Sequence, residues 1–223
     1  METAAVAPAA QSYPFTRWAA LGGVLYVPMF VIGVILLFSN EPASDAPPAK
    51  FTSWYGNSGH RDRIMIGWLV AGLGIFFLLW FVGALRRAVT AVDGEGLLAQ
   101  ITGMGGAIYV AVAWVALALN AGIRTMSDDT YRHQVDPLLM HAADDASWVI
   151  HATGVAGLSA MIIAASIAFM RGRVWPTWAG WLSVVAGVLS LAAIVFFPQF
   201  LYLLWILIVS GLLFLRPLGM RTA

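Results

Sequence analysis

At 223 residues the chain could fill one or two soluble domains, but 61% of it is hydrophobic and only 10% charged, against roughly 25% charged in ordinary soluble proteins. A net charge of +1 offers no basic field for nucleic acid. Cysteine is absent, which excludes disulfides, iron–sulfur clusters, thiolate zinc sites and cysteine nucleophiles.

Taken in order, residues 1–15 are Ala-rich and polar at Gln11 and Ser12, and are expected to be a disordered tail. Trp18 to Phe38 is a 21-residue apolar run behind Arg17. It is longer than the 7–15 residues of a cleaved signal core, so it reads as a retained span, with Pro28 a candidate kink. The loop from Ser39 to Arg63 opens on a turn-rich linker. It continues as FTSWYGNSGHRDR, whose aromatics suit the headgroup level. Asn57 or Ser58 can cap a second span, Ile64–Leu85, which stops at Arg86-Arg87. A short loop, AVTAVDGEG, leads to a third span near Ile101–Leu119, where Gly103, Gly105 and Gly106 permit close helix contact.

An acidic loop, Asn120–Ala146, precedes the fourth span, led by Asp136 as N-cap and Pro137 at the first helical position. From Trp148 to Phe169 there are 22 residues without Asp, Glu, Lys or Arg, enough to cross ~30 Å of hydrocarbon. Ala152, Ala156, Ala160, Ala164 and Ala168 recur every fourth position there, a ridge that would let another helix approach. Trp175, Trp178 and Trp181 anchor a fifth span, about Trp178–Phe197. Pro198-Gln199 alone would join it to a sixth, about Phe200–Leu215. The expected fold is all-α: a polytopic bundle of six transmembrane helices over residues 16–217, with a short tail at 218–223.

Six spans put both termini on one face. Seven Arg stand at span ends on that side with three acids, against five basic and eight acidic residues opposite. The positive-inside rule then makes the termini cytoplasmic. One Lys against eleven Arg, with abundant Ala, Gly and Val, points to a GC-rich bacterium and so to the inner membrane.

All four histidines, His60, His133, His141 and His151, fall on the outer side. On a continuous helix from Pro137, His141, Asp144, Asp145, Trp148 and His151 share an arc of about 120°. His141 and Asp145 are i,i+4 neighbours, but His151 lies about 15 Å further along the axis. A metal site from His60, His141, Asp144, Asp145 and His151 therefore needs help from another segment, and no HxxxH or HExxH spacing occurs. Haem ligation by His151 and a second histidine is a further alternative. The plainer reading places the acids near a helix start, where they suit the macrodipole or pair with Arg124. Mid-depth carboxylates are lacking, which argues against an ion pump. Ser159, Ser166, Ser183, Ser190 and Ser210 should back-bond or bridge helices. No Walker A, dinucleotide or G-x-S-x-G signature appears, and no cofactor is predicted.

WYGNSGHRDRIMIGWLVAGLGIFFLLWFVGALRR, the Asp-Pro-led fourth span ending in Arg, VWPTWAGWLSVVAGVL and LLWILIVSGLLFLR together resemble a known group. They are similar to small six-span integral membrane proteins common in actinobacteria and grouped under a domain of unknown function. The resemblance spans roughly residues 15–217 and implies a fold and a membrane location, with no activity or catalytic residue. The sequence thus leads to a protein working through contacts with lipid or another membrane protein. A small-solute transporter or channel is the alternative, and a metal- or redox-linked enzyme with an outer His/Asp site a third.

Overall fold

Backbone groups in hydrocarbon must find their partners within the chain, and apolar runs of this length do so by becoming helices. The computed structural model describes residues 14–43, 46–124, 136–195 and 197–215, and those residues contain helices and no strand. In chain order the helices are α1 (Pro14–Phe38), α2 (Pro48–Tyr55), α3 (Ser58–Asp93), α4 (Leu97–Arg124), α5 (Pro137–Arg171), α6 (Thr177–Ser190) and α7 (Gln199–Leu215). A single 3₁₀ turn, Ala193–Val195, lies between the last two. Four helices, α1, α3, α4 and α5, are long and apolar enough to cross a membrane; α6 and α7 are apolar but have only 14 and 17 residues. Ile66, Leu69, Leu182 and Leu204 are more than half exposed, an outer surface suited to lipid.

The starts and stops follow local chemistry. Asn57 Oδ1 accepts from the Gly59 N–H at 2.9 Å, and Asp136 Oδ1 accepts from Leu138 N–H at 2.9 Å with Pro137 in the first turn. Gly94, at φ 68°, ends α3 in a conformation that side chains disfavour. Pro28 sits inside α1 without ending it.

Two helix pairs approach to backbone contact. A Cβ on Gly67 of α3 would stand 2.8 Å from the Gly33 carbonyl oxygen of α1. A Cβ on Gly157 of α5 would stand 2.7 Å from the Gly105 carbonyl oxygen of α4. No other residue fits at such distances, and dispersion between the closely packed backbones replaces the hydrophobic drive that lipid does not supply. Helix α7 is fastened to α1. Ser210 Oγ donates to the Ala20 carbonyl and accepts from Val24 N–H at 3.0 Å, and Arg17 Nε donates to the Phe214 carbonyl at 2.8 Å.

The structure corrects several boundaries. The region expected as a loop after Leu85 stays helical to Asp93, because no breaker precedes Gly94 and Ala88 and Val89 are buried. The 39–63 loop contains α2, started by Pro48 and held by Phe51 and Tyr55, an i,i+4 pair that is buried. The fifth span ends early, at Ser190, whose Oγ back-bonds to the Ala186 carbonyl at 2.8 Å. Pro198 then bars its predecessor from continuing a helix.

The alanine ridge is also corrected. Ala164 and Ala168 are buried, Ala152 and Ala160 are half-buried, and Ala156 is exposed. Four-residue spacing advances about 40° per step beyond a full turn, so five alanines wind off any one face. Gly154 and Gly157, on the neighbouring stripe, make the close contact with α4 instead.

Candidate functional site: a cavity above a short hairpin

Helices α6 and α7 form a hairpin whose tip stops short of the other helices. Gln199, the first residue of α7, and Phe30 of α1 line the same cavity, yet α1 runs on for eight residues to Phe38, about 12 Å at 1.5 Å per residue. Helix α5 likewise continues from His151 back to Pro137. The space left above the tip, between α1, α4 and α5, is a cavity of about 560 Å³.

Its sides differ in chemistry. Helix α1 contributes Phe30, Val34, Ile35, Leu37 and Phe38, and α4 adds Ala113, Ala116 and Leu117. Ile35 and Phe38 are 57% and 44% exposed, so the apolar side reaches the outer surface of the bundle. Ser39, Asn120, Ser147, His151 and Gln199 supply the polar side, and no charged side chain lies among the described lining residues.

Those polar groups belong to two networks. Asn120 Nδ2 donates to Asp144 Oδ1 at 2.7 Å and to Ser147 Oγ at 3.3 Å, while Ser147 Oγ donates to the Asp144 carbonyl at 2.9 Å. Deeper, the hydroxyls of Tyr26 and Tyr109 are 2.8 Å apart, and Tyr109 donates to Tyr202 at 3.4 Å. Tyr202 in turn reaches Gln199 Oε1 at 3.4 Å and His151 Nε2 at 3.3 Å. All three tyrosines are fully buried, one each on α1, α4 and α7, so the chain of hydroxyls joins three helices with α5 through His151. If Tyr202 gives its proton to Gln199, His151 must carry its proton on Nε2 and donate to Tyr202; every hydroxyl is then satisfied. Around this network His151 stacks on Phe30 (5.9 Å, 15°) and on Trp148 (6.3 Å, 27°).

The metal candidates do not converge. His60 is stacked on Trp54 and its Nδ1 lies 2.8 Å from the Trp54 carbonyl, which requires Nδ1 to donate. His141 meets the edge of Phe51 of α2. Asp144 is engaged by Asn120, Asp145 is exposed, and His151 belongs to the tyrosine network. Among the described residues no group of three His, Asp or Glu could hold a metal. His133, the Arg124 side chain and the two chain ends lie outside the described residues. Asp144 and Asp145 stand two turns inside α5, beyond the reach of its terminal dipole, and Asp136 caps it instead.

The serines divide as their chemistry allows. Ser166 and Ser190 back-bond, Ser210 bridges two helices, and Ser159 Oγ is buried without a partner. The end of the bundle next to α2 is covered by a folded apron rather than by a plain linker. Arg63 lies over the Trp54 ring and donates to the Ser39 carbonyl at 2.6 Å, and the Tyr55 hydroxyl donates to Glu41.

The side chains that line the cavity are neutral hydrogen-bonding groups beside an apolar wall, with the Asp144 carboxylate one hydrogen bond behind Asn120. No family model, curated protein or solved structure matches the chain. Sequence reasoning found His151 but missed Tyr26, Tyr109, Tyr202, Asn120 and Gln199. Each is a polar atom inside or at the end of an apolar run, the signal that could have drawn attention to it.

Proposed function

We propose that this is a six-helix integral protein of a bacterial cytoplasmic membrane, both termini cytoplasmic, belonging to the actinobacterial group it resembles. It acts without turnover, by holding a lipid-soluble molecule in the cavity above the α6–α7 hairpin. The carrying observation is that cavity: an apolar wall reaching the lipid-facing surface at Ile35 and Phe38, and a neutral polar wall at Asn120, Ser147, His151 and Gln199. Pockets with mostly apolar lining and a few convergent polar groups are where small ligands bind. The clustering of Arg at one end of the helices supports the orientation. Because α6 and α7 turn back together, the termini share a face whether or not the hairpin reaches the outer interface.

The test is organic extraction and mass spectrometry of protein purified in mild detergent. Wild type should carry a lipid-soluble compound near one per chain. Ala116→Phe, which fills the cavity from a buried position on α4, should lose it. Equal retention by both, or a stoichiometric metal in the purified protein, would contradict the reading.

A further inference from the structure

Gln199 is 92% buried (8% exposed) at the floor of the cavity, and its Nε2 has no hydrogen-bond partner. Its Oε1 is already used by the Tyr202 hydroxyl. A primary amide left in this state offers two N–H donors and needs an acceptor, and a buried donor without one is costly to maintain. Resting on the cavity reading above, we propose that the site recognises an uncharged carbonyl head carried on an apolar tail, the Gln199 amide, whose Nε2 is closed off without a guest, turning to donate from Nε2 to the carbonyl oxygen.

The surroundings select the head. An anion finds no Lys or Arg among the described lining residues, and the Asp144 carboxylate stands one hydrogen bond behind Asn120. An ammonium brings donors where a donor already waits. The Asn120 N–H groups and the Ser147 hydroxyl are spent within their own network, which leaves Gln199 as the donor at the cavity floor, with the Ser39 hydroxyl beyond the end of α1. Phe30, His151 and Trp148 line the cavity as rings stacked on one another, and the aromatic surface they leave open favours a flat head. The tail leaves past Ile35 and Phe38, which are exposed and apolar. Two membrane-borne sources carry this chemistry, a prenylated quinone and an acyl ester such as diacylglycerol; the flat aromatic surroundings rank the quinone first.

The experiment measures equilibrium binding to the full chain in nanodiscs with four probes: a prenylated naphthoquinone, a diacylglycerol, the prenylated naphthalene of the same tail, which keeps the flat ring and has no acceptor oxygen, and a long-chain fatty acid. The expected result is tightest binding of the naphthoquinone, with the naphthalene about tenfold weaker, the scale of one hydrogen bond to a buried donor. The fatty acid should bind weakest. Diacylglycerol binding tighter than the quinone would assign the carbonyl to the ester source. In Gln199→Leu the carbonyl preference should vanish while naphthalene binding persists, and that persistence shows the variant is folded. Naphthalene and quinone binding equally to wild type overturns the proposal whatever the variant does. If instead Ala116→Phe leaves every affinity unchanged, the cavity itself is not the site and the broader reading fails with it.

Discussion

The contact between α4 and α5 yields the most quantitative prediction. Replacing Gly157 by Ala puts a methyl carbon 2.7 Å from the Gly105 carbonyl oxygen and 3.1 Å from Ile108 Cγ2. Ordinary contact begins near 3.4 Å, so the helices must separate by roughly 0.7 Å at that point or tilt about it. Overpacking of this kind costs about 1–3 kcal/mol. The helix-propensity advantage of Ala is largely cancelled, because a helix unfolded within the membrane remains a helix. Gly83→Ala is the control, since nothing lies within 4 Å of a Cβ there. Reversible unfolding in mixed micelles should place Gly157→Ala about 2 kcal/mol below wild type, with Gly83→Ala within about 0.5 kcal/mol of it. Equal stability of the two variants would refute the backbone contact on which the α4–α5 pairing rests.

Tyr109→Phe removes the middle hydroxyl of the network and two of its bonds, and should destabilise by about 1 kcal/mol, more than Tyr26→Phe, in the same unfolding assay. Ser210→Ala should cost on the order of 1 kcal/mol by freeing the Ala20 carbonyl and Val24 N–H, and should loosen α7 from α1 as read by hydrogen exchange. Lys50→Cys, at an exposed position of α2, should react with an impermeant maleimide from outside intact cells, and Glu95→Cys only after permeabilisation. The opposite labelling pattern would invert the orientation.

Much of the helical framework was legible because its signals are local. Asp136-Pro137 and Asn57 announce helix starts through their own side chains, and the Gly105 region announces a close approach by having nothing to clash. What could not be read depends on register between helices. Whether Ala156 or Gly157 meets α4 is a matter of 100° of rotation, and nothing within α5 specifies it. The hairpin is similar. The apolar run from Trp178 to Phe197 is long enough to be a span, and only packing shows that α6 stops at Ser190. The cavity follows from that shortfall, so it too was hidden. The histidines misled in the other direction. On one helix wheel His141, Asp145 and His151 share an arc, but Phe51, open solvent and Tyr202 respectively meet them in the fold.

The cavity requires the hairpin tip to lie deeper than the ends of the neighbouring helices. Spin labels at Phe197, exposed at the tip, and at Asn40, just beyond α1, allow depth to be measured by collision with oxygen and with a water-soluble nickel chelate in nanodiscs. The label at 197 should be oxygen-rich and shielded from nickel, about 12 Å deeper than the label at 40. Equal nickel exposure at both positions would put the tip level with the end of α1, closing the cavity and removing the site built on it.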